Sequence, residues 1–368
     1  MSATGATLDT PLAATHLRAG AKMGVWFGCA LPDEFRDPAA EYRAARVSVA
    51  LIDKNYRAYL SFAGPDRVRY LNAILTNNIK DLSTGQGNVS LLLNPQGHIL
   101  AEIEAYSFVD KLLCVSYAMI RERLIEWLDK YIIMDDVTLA DETHRFATLA
   151  LEGPQAAAVV QEFSGVDITP LPELASTDAS IDSIFCRIVK RSPGEVPGAE
   201  FIVRQENLAA LWQVLLDATR RHGGTPMGYS ALSAIRLAQG VPWFGYDFGD
   251  KQIPHEAGLQ DTHISYTKGC YTGQEIVERV RSRGQVNRQR TGFIFTGDKV
   301  PEAGATLLLD AKELGYVTRA ARTWDPSRII GMGYVRKEGS APGTVLQWAG
   351  GSATPAHLPE ALRTIAET

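Results

Sequence analysis

The chain has 368 residues, of which 45% are hydrophobic and 21% charged, and its formal net charge is −5. This composition is typical of a globular protein with two or three domains, and it gives no overall attraction to nucleic acid or to a membrane surface. No apolar run approaches the roughly 20 residues that cross a bilayer. Met1–Gly24 lacks a basic segment followed by an apolar one. We therefore expect a cytoplasmic protein with no membrane partner.

Strands and helices alternate along most of the chain, as judged from apolar spacing of two and of 3.6 residues. The predicted strands are 47–52, 56–62, 88–93, 98–108, 112–117, 147–151, 183–190 and 200–204, and predicted helices include 41–46, 120–131, 206–221 and 231–239. A strand, a Gly-Pro pair and a helix follow one another at Gly64-Pro65 and again at Gly153-Pro154. We interpret this recurrence as two related, intertwined α+β subdomains.

The character of the sequence changes after residue 290. Short apolar runs separated by Gly and Pro follow at 292–295, 306–309, 315–318, 329–335 and 345–348. Such spacing is typical of a small β-barrel. We place the domain boundary near Gln285–Gln289, so that 1–287 forms the α+β region and 288–368 the barrel. The polar residues after Ala349 are expected to be an appendage at its edge.

The four cysteines are Cys29, Cys114, Cys186 and Cys270. No two of them stand in a Cys-x-x-Cys spacing, so the sequence predicts no zinc site, resident cluster or other metal site. If the protein serves iron–sulfur chemistry, it does so with a single thiol.

One stretch, Lys268–Glu275, stands out, and it reads Lys-Gly-Cys-Tyr-Thr-Gly-Gln-Glu. Thr272 and Glu275 have the spacing of a helix capping box, which accounts for them without a function. Cys270 would lie beside a lysine at the positive end of a helix, where a thiolate is favoured. A thiolate attacks electrophiles, exchanges with disulfides or binds soft metals. A buried, inert cysteine fits the same pattern.

This stretch resembles the signature of the YgfZ-type folate-binding proteins, which are implicated in iron–sulfur cluster assembly and repair. They are relatives of the glycine-cleavage T-protein, a tetrahydrofolate-dependent aminomethyltransferase. The resemblance extends to 236–242, 245–247 and 253–259 upstream and to 314–318 and 330–335 downstream. It implies a ring of ferredoxin-like, T-protein-type α+β domains around a central folate cavity, with a C-terminal β-barrel attached.

The resemblance also implies a folate site. A pterin presents an amino group and a ring N–H side by side, and one carboxylate can accept both hydrogen bonds. Glu200 matches the T-protein position that takes this edge, although a solvent-exposed glutamate on an edge strand is the plain alternative. Arg236 and Tyr271 are the other expected contacts of tetrahydrofolate or a folate derivative. A helix-end arginine is also compatible with a surface position.

The expected reactive residues are Cys270, Lys268 and Gln274. Cys270 would act as a thiolate, and Lys268 would help to keep it ionised. The T-protein carries an aspartate where this chain has Ala101. Glu102 follows, but neighbouring side chains on a strand point to opposite faces. The resemblance therefore does not predict a T-protein-type aminomethyltransferase.

Three functional hypotheses follow. The first is a folate-binding accessory protein for iron–sulfur client enzymes or their assembly factors. The alternative is a tetrahydrofolate-dependent aminomethyl- or methyltransferase, with Glu102 as its only nearby carboxylate. The least favoured is an RNA-modification accessory that binds nucleic acid through one basic patch. The arginines of that patch would be Arg279, Arg281, Arg283, Arg288 and Arg290.

Overall fold

The computed structural model of the chain describes residues 7–284, 286–324 and 327–359. These residues group into two units. The first unit comprises Met1–Leu93, Ala101–Tyr229 and His263–Thr272, and the second comprises Asn94–Leu100, Ser230–Thr262 and Gly273–Thr368. Among the described residues, no helix has the length and apolar character needed to cross a membrane.

Strands and helices were numbered in chain order over the described residues. The strands are β1 Leu8–Asp9, β2 Lys22–Trp26, β3 Cys29–Glu34, β4 Ala50–Asp53, β5 Arg57–Ala63, β6 Gly87–Leu93, β7 Ile99–Ser107, β8 Leu112–Tyr117, β9 Thr138–Asp141, β10 Phe146–Glu152, β11 Ser176–Ile181, β12 Ile184–Lys190, β13 Gly198–Arg204, β14 Thr225–Pro226, β15 Arg288–Phe295, β16 Thr306–Leu309, β17 Lys312–Arg322, β18 Ile329–Arg336, β19 Leu346–Trp348 and β20 Gly351–Ala356. The α-helices are α1 Ala13–Arg18, α2 Pro38–Val47, α3 Arg67–Ile74, α4 Arg121–Asp129, α5 Ala156–Ser164, α6 Leu208–Arg221, α7 Tyr229–Ala238, α8 Pro254–Ala257, α9 Gln260–His263 and α10 Gln274–Arg283. The 3₁₀ helices are Ala118–Ile120, Thr143–Arg145, Pro193–Glu195, Gln205–Asn207 and Lys337–Gly339.

The first unit contains three sheets. A six-stranded sheet has the order β11-β12-β13-β10-β4-β14, a five-stranded sheet the order β6-β7-β8-β5-β9, and a small sheet the order β1-β3-β2. Helices α5 and α6 cover the six-stranded sheet, since Val159 and Trp212 share one buried core with Leu149 and Phe201. The predicted α+β organisation is therefore confirmed.

Helix α6 shows how apolar spacing produces this packing. Leu208, Leu211 and Leu215 are buried and lie on one face, because residues three and four apart are neighbours on a helix. Arg220 and Arg221 occupy the last turn, where positive charge is favourable. Gly223, with φ of 73°, then turns the chain away. The helix predicted over 206–221 is thus confirmed, two residues shorter at its start.

The second unit contains a closed barrel with the strand order β15-β18-β17-β16-β19-β20. The predicted C-terminal barrel is confirmed, but the appendage predicted after Ala349 is wrong. Strand β20 pairs with both β15 and β19 and so closes the barrel. Its Ala353 is buried in the barrel core. The small and polar residues of β20 show little alternation of apolar and polar side chains, so the sequence does not predict a strand there. Residues 360–368 of the predicted tail lie outside the described residues.

A buried ion pair fastens the segment around Asp247 to β17. Arg319 donates to Asp247 through Nη2 and Nε, at 2.6 and 3.1 Å, and its guanidinium lies 4.1 Å from the ring centre of Trp243. Thr318 Oγ1 donates to the second carboxylate oxygen at 2.8 Å. These contacts account for Asp247 structurally, within the resembled segment 245–247.

The capping box predicted at Thr272 is wrong. Helix α10 begins at Gln274, its N-cap is Gly273 with φ of 82°, and no side chain caps it. Glycine adopts this left-handed conformation without steric cost, so the chain turns there instead of at Thr272. Glu275 instead pairs with Arg279 one turn along the helix, at 2.7 Å.

The barrel starts at Arg288, which matches the predicted start of the C-terminal domain. Gln285, at the predicted boundary, lies outside the described residues. The division at 287/288 remains a proposal. The second unit includes not only the barrel but also segments from before residue 288, namely 94–100, 230–262 and 273–287.

Candidate functional site

A partly open cavity of about 220 Å³ lies in the first unit, against the adjacent strands β7, β8 and β5. Its lining residues are Tyr56, Arg57, Glu102, Glu104, Val115, Ser116 and Tyr117. Glu102 and Glu104 are two residues apart on β7, so their side chains share one face. The cavity therefore combines two carboxylates, one guanidinium and two aromatic rings.

A tyrosine and a histidine hold the Glu102 carboxylate, one on each oxygen. Tyr117 OH donates to Oε2 at 2.6 Å, and His263 Nε2 lies 3.0 Å from Oε1. A carboxylate only accepts hydrogen bonds, so Nε2 is the protonated ring nitrogen in this pair. Ala101 is 0% exposed and lies on the opposite face of β7. The two faces are as predicted, and it is the Glu102 face that borders the cavity.

Glu104, in contrast, is neutralised by two guanidinium groups. Arg57 Nη1 lies 2.6 Å and Arg191 Nη2 3.1 Å from its oxygens, and Tyr106 OH donates at 2.9 Å. Burial alone would raise the pKa of Glu104, but the charges of Arg57 and Arg191 and these hydrogen bonds lower it to about 2. Glu104 therefore stays ionised and orders the two arginines.

This low pKa predicts an acid-sensitive contribution to stability. Because the pKa is about 2 when folded and 4.5 ordinarily, the contribution is complete above pH 4.5 and is lost as pH falls toward 2. Glu104→Gln should make the free energy of unfolding fall less steeply across this range, measured by urea denaturation at a series of pH values. Glu275→Gln, on an exposed residue, should leave the slope unchanged. Equal slopes for Glu104→Gln and the wild type would contradict the prediction.

Glu200 lies behind the cavity wall, on β13 between two other strands. It is 2% exposed, so the alternative of a solvent-exposed edge-strand glutamate is excluded. Its Oε1 accepts from Lys54 Nζ at 2.9 Å and from Arg57 Nη2 at 2.8 Å. Both cations thus contact the same oxygen of the Glu200 carboxylate. Glu200 thus supports Arg57, which does line the cavity.

Lys54, Arg57 and Arg191 together face Glu104, Glu152 and Glu200, which gives a buried network with balanced charge. Glu102 lies outside this balance. Sequence reasoning missed the network, because its members are far apart in the chain and each stands alone among ordinary strand and loop residues. The spacing of Glu102 and Glu104 on a predicted strand was the one available signal.

A second buried cluster ties down the turn that carries Lys54, Tyr56 and Arg57. Asp53 Oδ2 accepts from Thr10 at 2.6 Å and contacts His16 Nε2 at 2.7 Å, while Oδ1 accepts from the Asn55 side chain at 2.6 Å. His16 and Asp53 are both buried. The arginine and tyrosine at the cavity are therefore positioned by contacts remote from it in sequence.

Comparison with known proteins decides the family. Residues 12–266 match the GCVT N-terminal domain, and residues 288–358 match the glycine cleavage T-protein C-terminal barrel domain. The chain belongs to the glycine cleavage T-protein family. The predicted fold class, T-protein-type α+β domains with a C-terminal barrel, is thereby confirmed, whereas membership of the YgfZ-type group is not established by these matches.

Individual members of the T-protein family are similar along nearly the whole chain. The aminomethyltransferase of Rubrobacter xylanophilus is 27% identical over 336 residues, 91% of this chain and 89% of the relative. The aminomethyltransferase of Geobacillus sp. is 26% identical over 332 residues, 89% of this chain and 90% of the relative. The crystal structure of glycine cleavage system aminomethyltransferase T from Bartonella henselae superposes with a TM-score of 0.86, at 23% identity, over 96% of this chain and 98% of that one. This last likeness shows a shared fold.

Proteins of the T-protein family are folate-dependent and aminomethyltransferase-like. The cofactor expected from the resemblance, tetrahydrofolate or a folate derivative, is consistent with this family. The chemistry of the cavity lining suits part of a folate. Its carboxylates suit the donors of a pterin edge and its tyrosines suit a planar ring. Arg57 Nε is buried without a hydrogen-bond partner among the described residues.

The Lys268 ammonium group is held by hydrogen bonds to backbone carbonyls. Its Nζ donates to the backbone carbonyls of Asn72, Leu75 and Asn77 and lies 5.1 Å from the Tyr271 ring centre. Burial lowers the pKa of Lys268 to about 8, while the three carbonyl dipoles favour its ammonium form. These contacts explain Lys268 structurally. A role in ionising Cys270 remains a prediction.

The other predicted site residues occupy varied positions. Cys270 is exposed, Tyr271 is buried, and Gln274 is the first residue of α10. Arg236 is buried in the last turn of α7, which excludes the surface position considered above. Within the described ranges, no three His, Cys, Asp or Glu side chains are grouped as metal ligands.

Four of the five arginines predicted to form one basic patch contact partners of their own. Arg279 and Arg281 pair with glutamates on their own helix, and Arg288 pairs with Glu256 at 3.2 Å. Arg290 Nε donates to the Ala257 carbonyl at 2.7 Å. Strand β15 directs its arginines toward α8, whereas α10 presents its arginines beside acidic neighbours, so their charges are compensated separately.

Alkylation should distinguish the four cysteines. Cys29, Cys114 and Cys186 are buried, and burial raises the pKa of their thiols to about 11, 12 and 12 respectively. Only the thiolate reacts, so native protein should take up a single iodoacetamide label, at Cys270. Mass spectrometry of native and denatured protein checks this. Labelling of any buried cysteine before Cys270 would contradict it.

Proposed function

We propose that this member of the T-protein family is a tetrahydrofolate-dependent one-carbon transferase of the aminomethyltransferase kind. The observation that carries the proposal is the position of Glu102. Its carboxylate borders the cavity and is held by Tyr117 and His263, with no lysine or arginine among its hydrogen-bond partners in the described part of the chain. The aspartate that the resemblance implies would stand at Ala101, on the opposite face of β7, so under this proposal the carboxylate comes from Glu102 and from the face that borders the cavity.

In the proposed reaction, Glu102 acts on the proton and the neighbouring residues position Glu102 and Arg57. When bound, tetrahydrofolate supplies the nitrogen that accepts the one-carbon unit. Glu102 takes up the proton released at that nitrogen, a task for which a carboxylate within hydrogen-bond reach is suited. Tyr117 and His263 hold the carboxylate in one orientation, and Glu104 holds Arg57 at the cavity wall.

Three further folate contacts remain part of the proposal. Glu200 would accept from the pterin edge, as the resemblance implies, and its contacts with Lys54 and Arg57 both use Oε1. Arg236 suits the anionic glutamate tail, because a guanidinium binds carboxylates in a two-pronged geometry. Tyr271 offers an aromatic surface.

Two measurements test the proposal. Calorimetry should show binding of tetrahydrofolate to the purified full chain, and an assay with an aminomethyl donor should show methylene-tetrahydrofolate forming with time and enzyme concentration. Binding without turnover for any amine donor would reject the transferase and leave a folate-binding protein. Absence of binding would reject both.

A second function is favoured by one observation, the exposure of Cys270 in contrast to the burial of the other three cysteines. Under this proposal the chain is a YgfZ-type, cytoplasmic accessory protein that binds folate and supports iron–sulfur client enzymes or their assembly factors. Cys270 would ligate iron transiently or exchange with a damaged cluster ligand. The matches to aminomethyltransferases favour the first function over this one.

A rescue experiment separates the two functions. The chain, its Cys270→Ser variant and its Glu102→Gln variant are expressed in a strain lacking such an accessory protein, and a 4Fe–4S enzyme is assayed under oxidative stress. Rescue by Glu102→Gln but not by Cys270→Ser supports the accessory function. Failure of the wild type to rescue removes it.

A further inference from the structure

The segment 263–272, which includes the first five residues of the signature, contacts a second segment, 72–77, at several points. Lys268 Nζ donates to three carbonyls of that segment, those of residues 72, 75 and 77. Thr76 Oγ1 donates to the His263 carbonyl at 2.7 Å, and Ser265 N donates to the Thr76 carbonyl at 3.0 Å. The two segments therefore meet at both ends.

Lys268 is matched to this position. An ammonium has three donors and no acceptor, and here it meets three carbonyl oxygens. Neither a neutral side chain nor a planar guanidinium reproduces this arrangement. The segment 72–77 is itself fixed, because Thr76 is fully buried and its Oγ1 also accepts from Leu91 N at 2.8 Å.

His263 lies at the other end of the fastened loop, and its Nε2 contacts Glu102. A displacement of the loop would therefore move the donor that orients the Glu102 carboxylate. Small misplacements matter at such a site, since about 1 Å can cost a hundredfold in rate.

We propose that Lys268 and His263 are positioning residues for Glu102, with Lys268 acting through the loop and His263 by direct hydrogen bond. The signature lysine thus serves the cavity and not the thiol two residues later. The inference rests on the proposed function, because it gives Glu102 the role stated there.

The first test needs no activity. The side-chain nitrogens of His263 are observed by ¹⁵N–¹H correlation spectroscopy of the full chain, with His263→Gln identifying the signal. In Lys268→Met, the Nε2–H signal should move toward that of a solvent-exposed imidazole. Lys80→Met, an exposed lysine beside the same segment, should leave it unchanged. An unchanged His263 signal in Lys268→Met would overturn the inference.

The second test is a double-mutant cycle on the rate of methylene-tetrahydrofolate formation. His263→Leu and Lys268→Met should each lower the rate by roughly ten- to a hundredfold. His263→Gln, whose amide nitrogen replaces Nε2 as donor, should retain most of the activity. If Lys268 acts through His263, the double variant should be no slower than His263→Leu alone. Additive losses would overturn the inference.

The outcomes of the two proposals are distinguishable. A wild-type chain without transfer activity would reject the proposed function, while the spectroscopic test of the Lys268–His263 link would still be decisive. If Lys268→Met does not fold, Thr76→Val takes its place in both tests; it removes the hydroxyl that donates to the His263 carbonyl and accepts from Leu91 N, and it leaves the Lys268 side chain unchanged.

Discussion

Glu102→Gln should lower the rate of one-carbon transfer by about 10²–10⁴-fold, the usual contribution of a positioned general base. Glutamine keeps the size of the side chain and one acceptor for Tyr117 or His263, but it cannot take up the proton. Binding of tetrahydrofolate should change little, because the neighbouring Arg57–Glu104 pair remains. The rate and the calorimetric affinity, measured side by side, check this expectation.

Glu275→Gln is the matched control for this experiment. Glu275 is an exposed glutamate on α10 that pairs with Arg279 on the same helix, and its substitution should leave both quantities unchanged. Full activity of Glu102→Gln would show that the carboxylate is not the base. Loss of binding together with activity would instead make Glu102 a folate contact.

Arg57→Met should destabilise the first unit strongly, by about 3–5 kcal/mol, because it removes one partner of a buried ionic network. The substitution leaves Glu104 with Arg191 alone and Glu200 with Lys54 alone. A methionine fills part of the volume but offers no donor to either carboxylate. The free energy of unfolding from urea denaturation, followed by circular dichroism, measures the loss.

Arg279→Met is the corresponding surface control. Its ion pair with Glu275 is exposed, and such pairs contribute about 0–1 kcal/mol. If Arg57→Met also lowers the free energy of unfolding by less than 1 kcal/mol, water must replace Arg57 as the hydrogen-bond donor to the buried carboxylates. That result would also remove the reason for an ordered guanidinium at the cavity.

Periodic apolar patterns predicted most of the elements correctly, because burial of one face leaves a direct mark on the sequence. Helix α6 and the strands β5 to β8 are examples, as is the change of spacing at the barrel. The pattern failed at β20, where small and polar residues complete the barrel through backbone pairing. Backbone hydrogen bonds do not depend on side-chain identity, so they leave no such mark.

The short-range spacing of residues in the signature also gave a wrong prediction, the capping box at Thr272. Thr272 and Glu275 have the right spacing for a capping box, yet Gly273 allows the chain to turn later and the helix begins at Gln274. The arginines around 279–290 were treated as one group because they are close in sequence. In the structure Arg279 and Arg281 pair with Glu275 and Glu278 on α10, whereas Arg288 pairs with Glu256 on α8.

The sequence by itself determined the family resemblance, the α+β and barrel regions, and the opposite orientation of Ala101 and Glu102 on their strand. All of these depend on short-range order along the chain. Only the tertiary structure decided which face of that strand borders a cavity, that Lys268 is held by carbonyls of 72–77, and that Glu200 is buried among cations. These facts depend on contacts between residues more than a hundred positions apart, and electrostatic environments of that kind arise only when the chain is folded.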